Sequence, residues 1–162
     1  MMTKKDNISL ADEYFDRAYQ MQLKGNIENA IKEYQISINF FPTAKAHTFL
    51  GFAYSLLGNF ELAIEECKNA INLEPEYGNP YNDIGTYLLK LEKYDEAIYW
   101  FEKALMMKDN NVAYLSLFNL GKIYEKKGNW IKAYNYLNKA ILLNPEYEPA
   151  QDEIIKLSTL LN

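Results

Sequence analysis

The sequence predicts an all-α fold of antiparallel helix hairpins stacked in tandem, and three observations lead to it. Alanine followed by a large side chain recurs at Ala30-Ile31, Ala63-Ile64, Ala97-Ile98 and Ala133-Tyr134, in steps of 33, 34 and 36 residues. Twelve residues beyond these alanines stand Pro42, Pro75, Asp109 and Pro145. Ahead of them come Gly25-Asn26, Gly58-Asn59, Glu92-Lys93 and Gly128-Asn129. Self-similarity at such a period marks supersecondary units that bury their apolar faces only by stacking on one another.

Within each unit the turn is the clearest feature. Glycine can take the left-handed conformation that closes one helix, and asparagine after it is placed to cap the next. Seven residues before each turn stand the small residues Ala18, Gly51, Gly85 and Gly121, and seven after each marker alanine stand Ser37, Ala70, Ala104 and Ala140. Small residues facing one another let the two helices of a hairpin approach closely. The large columns Ile27, Phe60, Tyr94 and Trp130, then Ile38, Ile71, Leu105 and Ile141, then Phe40, Leu73, Met107 and Leu143, supply apolar stripes at helical spacing.

These columns place helices near residues 9–23, 27–40, 44–57, 60–73, 78–91, 94–107, 112–127 and 130–143, with a ninth at 148–161. The whole chain, 1–162, reads as one domain of four repeats, about 11–43, 44–77, 78–113 and 114–147. The ninth helix carries Ile154, Ile155, Leu157, Leu160 and Leu161 among polar residues, which suits a cap over the open end of the stack. Two departures from the pattern stand out. Glu92 occupies a left-handed turn position at a cost of ~1 kcal/mol relative to glycine. The added residues near Asp109-Asn110-Asn111 are expected to leave the link into the fourth unit bent or loose.

Composition narrows the functional classes. Hydrophobic residues make up 49% of the chain, ample for a continuous core. A net charge of −5, from 22 acidic and 17 basic side chains, disfavours a general hold on nucleic-acid phosphates. One cysteine, Cys67, and one histidine, His47, leave no internal disulfide and no zinc ligand set, so neither metal nor cofactor is expected. Cys67 and His47 both occupy packing columns. The acidic pairs Glu65-Glu66 and Asp95-Glu96 read as solvated second-helix faces, and the glycines come singly rather than as a phosphate-cradling loop. No catalytic constellation emerges, and the chain is read as not an enzyme. The first seven residues lead into no apolar run, and no run approaches the ~20 residues that span a bilayer. A cytoplasmic location without membrane insertion is the expectation.

The repeat resembles the tetratricopeptide repeat family. His47-x-x-Leu50-Gly51-x-x-Tyr54 with Ala63 and Pro75, and Leu117-x-x-Leu120-Gly121-x-x-Tyr124 with Ala133 and Pro145, follow its pattern best. Tyr81-x-x-Ile84-Gly85-x-x-Leu88 leads to Ala97, Phe101 and Ala104, and the first unit, with Tyr14, Arg17, Ala18 and Met21, is the loosest. The resemblance implies a right-handed α-α superhelix whose first helices line a concave side, and a scaffold or adaptor that binds a peptide or helix of another protein there. The same resemblance extends to small acidic secretion chaperones, and stacked repeats also serve as self-assembling structural units, including homo-oligomers.

On the first helices that face offers Phe15, Tyr19, Phe49 and Phe52 in the amino-terminal half. In the carboxy-terminal half it offers Asn82, Asp83, Thr86, Lys90, Asn119, Lys122 and Lys126. Aromatic anchors followed by amides and lysines suit a partner segment with apolar side chains, and the two asparagines are placed to clamp its backbone. Some family members hold the terminal carboxylate of a chaperone tail with lysines, asparagines and an arginine on these helices. That set has no counterpart here, because Phe15, Tyr19 and Asp83 stand at three of its places, and no such tail is expected to bind.

Overall fold

A computed structural model describes residues 3–161, the side chains of Leu160 and Leu161 lying outside the described residues. Among those residues the elements are α1 (Lys4–Leu23), α2 (Ile27–Phe40), α3 (Ala44–Leu56), α4 (Phe60–Leu73), α5 (Asn79–Lys90), α6 (Tyr94–Met106), α7 (Ala113–Lys126), α8 (Trp130–Leu143) and α9 (Glu148–Leu161). The hairpins are α1–α2, α3–α4, α5–α6 and α7–α8, and each packs on the next. No described helix is long and apolar enough to cross a membrane. Only α1 differs much from expectation, starting five residues earlier than the apolar pattern indicates. Its start is set by a capping box: Thr3 Oγ1 accepts from the Asp6 amide at 3.2 Å and the Thr3 amide donates to the Asp6 carboxylate at 2.8 Å.

The hairpin turns share one geometry. In the second unit the Asn59 amide donates to the Tyr54 carbonyl and the Gly58 amide to Ser55, the paired bonds that end a helix through a left-handed residue. The first and fourth units repeat them around Gly25 and Gly128, at φ of 77° and 72°. Glu92 holds the same conformation at φ 59°, with Lys93 bonded to Leu88 and Glu92 to Leu89. The turn therefore follows from the stacking, and the side chain tolerates it. Capping by asparagine is narrower than expected: Asn129 accepts from the Lys132 amide, whereas Asn26 and Asn59 make no side-chain cap. Asn26 instead accepts from the Asn29 side chain.

Inside the hairpins, the marker alanines and the small residues opposite them are fully buried. A Cβ added at Gly85 would lie 2.7 Å from the Phe101 ring, and one at Gly121 would lie 2.8 Å from Leu137. Ser37, small but polar, satisfies its hydroxyl by donating to the Ala11 carbonyl at 2.7 Å. The cores run together, with Tyr54 packed against both the first and the second apolar cluster. The junction between the third and fourth units is tied rather than loose. Asp109 bridges to the loop before α5, accepting from the Gly78 amide at 2.6 Å and donating to Glu76, and Asn110 caps the end of α6 through the Ala104 carbonyl.

The last helix covers the stack. Ala150 and Leu157 are fully buried against Ala140 and Leu117 and against Ala133 and Leu137. Ile154 packs at the edge, whereas Ile155 points to solvent, a correction to the expected stripe. Lys122 and Lys156 alternate with Glu125 and Glu153 in a square of ion pairs of 2.8–3.1 Å that joins α7 to α9.

Two outcomes are expected. Glu92→Gly relieves the left-handed strain and raises stability by ~1 kcal/mol in denaturant melts, and an unchanged midpoint would show that the turn holds no strain. Removing residues 148–162 uncovers Leu137 and Leu117, so sedimentation should show association and melting should fall. A truncated chain that stays monomeric with unaltered melting would deny α9 a capping role.

Candidate protein-binding groove

The first helices α1, α3, α5 and α7 share one side of the stack, with α3 touching α5 and α5 touching α7. Small residues at the hairpin contacts hold these helices in register, so their outer faces form the wall of one trough. Its amino-terminal stretch, about 370 Å³, is lined by Tyr19, Leu23, Phe49, Phe52, Asn79 and Asp83. The middle stretch, about 650 Å³, runs past Phe52, Leu56, Asp83, Thr86, Leu115, Phe118 and Asn119. The third, about 730 Å³, is bounded by Lys90, Tyr94, Asn119, Lys122, Lys126 and Trp130. Neighbouring stretches share Phe52 and Asp83, then Lys90 and Asn119, which makes the trough continuous.

The expected residues divide by environment. Tyr19 and Phe52, 37% and 44% exposed, stand free on the wall, as does Lys90. Phe15 does not: it is 9% exposed, edge-on to Phe49 and tilted against Tyr34, with Lys45 over its ring, and belongs to the core. Phe49 is half-buried between Phe15, Tyr19 and Tyr34, and supports the wall more than it projects from it. Asn82 is buried and accepts from the Ser116 hydroxyl at 2.9 Å, joining α5 to α7, so its amide is not open for a backbone clamp. Thr86 donates to the Asn82 carbonyl. Lys122 is held in the ion-pair square, and Lys126 donates to the Tyr94 hydroxyl at 3.0 Å. Asn119 sits between the middle and last stretches.

Other lining residues escaped the sequence reading. Phe60, Tyr94 and Trp130 belong to the apolar column just after each turn, and their rings reach the trough from the starts of the second helices. Tyr87 lines it from within the core and Tyr147 from the loop before α9. The column was visible, but its direction depends on how one hairpin is rotated against the next.

Asp83 is the chemically unusual member. It faces both the first and middle stretches, and its polar neighbour is the Asn82 amide at a long 3.4 Å. Burial lifts its carboxyl from the usual 3.8 to about 7, against a smaller lowering by Asn82. Cys67, fully buried behind Gly51, has its thiol pushed up by burial and further by Asp83 and Glu66, which suits packing rather than reactivity. His47 pairs with Glu66 at 2.6 Å on the side of the second hairpin. Among the described residues no group of three or more His, Cys, Asp or Glu is placed to hold a metal.

Stacked helix hairpins with a trough along the first helices define a helical-repeat scaffold. Sequence patterns of the tetratricopeptide repeat match residues 42–110 and 114–147, and the chain belongs to that family. Both patterns describe repeats and neither describes a catalytic domain. The uncharacterised protein ycf37 of Guillardia theta is 30% identical over 100 residues, 59% of this chain and 55% of its own. The small glutamine-rich tetratricopeptide repeat-containing protein 2 of Mycosarcoma maydis is 25% identical over 62% of this chain and 31% of its own. The chain thus spans about half or less of these two relatives. The solved Pseudomonas aeruginosa pilF structure superposes with a TM-score of 0.85 at 22% identity, over 93% of this chain and 68% of that one. That likeness takes in the loosely matching first hairpin and shows the fold.

The raised Asp83 carboxyl has a consequence for stability. Between about 4 and about 7 the folded chain keeps a proton that the unfolded chain has released, so the stability owed to this residue falls as pH rises through that window. Asp83→Asn should therefore melt like the parent near pH ~4 and higher than it above pH ~7. Thermal melts of both chains across that range check this, and a constant or reversed difference would mean that the carboxylate is well solvated.

Proposed function

We propose that this chain is a non-catalytic interaction scaffold whose trough takes an extended or helical segment of a partner protein through apolar anchors. The supporting observation is a row of exposed apolar side chains, Tyr19, Leu23, Phe52 and Leu56, along the wall of a continuous trough. Monomeric surfaces scatter large apolar groups singly, and a contiguous row within a concavity is the signature of a binding face. The trough's dimensions fall within the range of sites that bury side chains. Among the structural neighbours, a chain of the APC/C hetero-tetramer Cut9-Hcn1 superposes with a TM-score of 0.76 at 23% identity, over 92% of this chain and 30% of that one. That assembly supports protein as the class of partner.

Tyr19 and Phe52 are the anchors, and Phe49 the ring that props them. Phe52→Ala should weaken binding of a peptide selected from a displayed random library by ~2 kcal/mol, the scale of an interface hot spot. Because Phe52 is 44% exposed, the same change should leave melting nearly unaltered. Leu50→Ala, which empties a fully buried position, should cost the fold ~2–5 kcal/mol. Titration of the peptide by calorimetry beside melting curves separates these effects. Selection that enriches no peptide, or equal affinity for Phe52→Ala, would overturn the reading.

A further inference from the structure

The centre of the trough holds polar atoms that the fold itself leaves unmatched. Asn79, Asp83 and Tyr87 follow one another at intervals of four along α5, which places them in a column on one face. Tyr87 is 4% exposed and its hydroxyl makes no hydrogen bond among the described residues, although it lines the same stretch as Asp83. Ser55 lies beside it with its proton on the Phe52 carbonyl at 2.7 Å, which leaves it no donor for the Tyr87 oxygen. Asn79 Oδ1 is likewise buried and unmatched, and lines the neighbouring stretch together with Asp83. Elsewhere Ser37 donates to Ala11, Thr48 to Ala44 and Ser116 to Asn82, and Glu33 Oε2, which makes no hydrogen bond, has the Arg17 guanidinium at 3.4 Å as its counter-charge. An orphaned buried polar atom is costly to the fold, and two such oxygens flanking a carboxylate fit a ligand that supplies donors.

The charge around Asp83 points the same way. The titratable groups set about it are Tyr87 on its own helix, Cys67 on α4, Tyr77 in the loop before α5, Tyr19 on α1 and Tyr147 before α9. None of these is cationic. Lys90 is the cation on the same wall, seven residues further along α5 and so ~10 Å away along the axis. No described cation pairs with Asp83. Phe52 on one side and Leu115 and Phe118 on the other make its flanks apolar.

Building on the scaffold reading above, we propose that Asp83 is the specificity-determining contact of the trough. It receives an arginine or lysine side chain of the bound segment, while Asn79 Oδ1 and the Tyr87 hydroxyl accept its remaining donors. The partner segment is thus one in which a basic residue lies between apolar anchors that rest on Phe52 and on Leu115 and Phe118. A guanidinium offers five donors in a plane and an ammonium three, and both suit a carboxylate flanked by an amide oxygen and a hydroxyl oxygen. Charge-assisted hydrogen bonds in a poorly solvated site are strong, and a wrong partner that brings a carboxylate meets repulsion, so the column selects as well as holds. Asp83, costly to the free fold when ionised, gains its counter-charge on binding.

The test uses random dodecapeptides displayed on phage, selected at alkaline pH against the full chain and against Asp83→Asn in parallel. Peptides enriched by the parent should share a lysine or arginine flanked by apolar residues, and Asp83→Asn should not enrich that pattern. The strongest synthetic peptide should bind Asp83→Asn about tenfold more weakly, whereas its analogue with glutamine for the basic residue should bind both chains alike. Tyr87→Phe, which removes only the hydroxyl, should show a smaller loss in the same direction. Affinity of the parent for the basic peptide should rise between pH ~6 and ~8 as Asp83 ionises, and stay flat for Asp83→Asn. Asp83→Asn is expected to be at least as stable as the parent, so misfolding would not mimic the loss. Enriched peptides without a common basic residue, or binding of the basic peptide by Asp83→Asn within about twofold, would overturn this inference and leave the scaffold reading standing. Enrichment of nothing by either chain would overturn both.

Discussion

The close approach of the two helices in every hairpin is the constraint on which the rest of this structure depends. Ala30, Ala63, Ala97 and Ala133 meet small or compact positions across the hairpin, and all four are fully buried. Larger side chains there would push the helices apart, as the 2.7 Å approach of a Cβ at Gly85 to Phe101 makes plain. With the helices held close, the large residues are forced outward from the hairpin axis into the interfaces between hairpins. There they form clusters that run from one unit to the next. Stability is then a sum of hairpins and interfaces, and the exposed end of the last interface requires α9.

The trough follows from the same constraint. Because consecutive hairpins are offset in one sense, α1, α3, α5 and α7 come to lie side by side, and α3–α5 and α5–α7 touch directly. Side chains on their outer faces therefore share a wall although they lie about one repeat apart in sequence. The wall is uneven in chemistry: exposed rings and leucines at one end, a desolvated carboxylate at the centre, and lysines at the other. Two of those lysines are already committed. Lys122 is neutralised by Glu125 and Glu153, and Lys126 leans over the Tyr94 ring while bonding its hydroxyl. Burial alone would raise Glu153, but bonds from Lys122 and Lys156 outweigh it and hold the carboxyl below its usual range. The charges at the carboxy-terminal end thus lock the cap to the last hairpin, and Lys90 is left to act outward.

Much of this was legible in the linear sequence, for a physical reason particular to repeats. A column that recurs four times averages out local ambiguity, so helix ends at Gly25, Gly58 and Gly128 could be placed closely. Even Glu92 was recognisable as a turn residue from its phase alone. Legibility failed where a residue acted only once. Thr3 and Asp6 start α1 by a local capping box outside any column, and Asp109 and Asn110 tie their loop to the segment around Glu76 and Gly78 through a contact with no counterpart in the other units.

The family resemblance implied which helices face the trough; what the sequence by itself determined was the all-α class, the four hairpins and the cap. Those features depend on periodic burial, and burial at 3.6-residue spacing is written in the order of the residues. Only the tertiary structure decided which members of the concave face are free. Phe15 and Phe52 lie in different columns of the first helices: Phe15, packed under Phe49, Tyr34 and Lys45, shares the buried column of Thr48 and Asn82, whereas Phe52 stands open in the column of Tyr19. Asn82 is consumed by Ser116, whereas Asp83 beside it is left without a counter-charge. Exposure and pairing of this kind are set by which neighbour the superhelical rotation brings opposite, and that rotation is the sum of packing over every interface, which no single segment of sequence specifies.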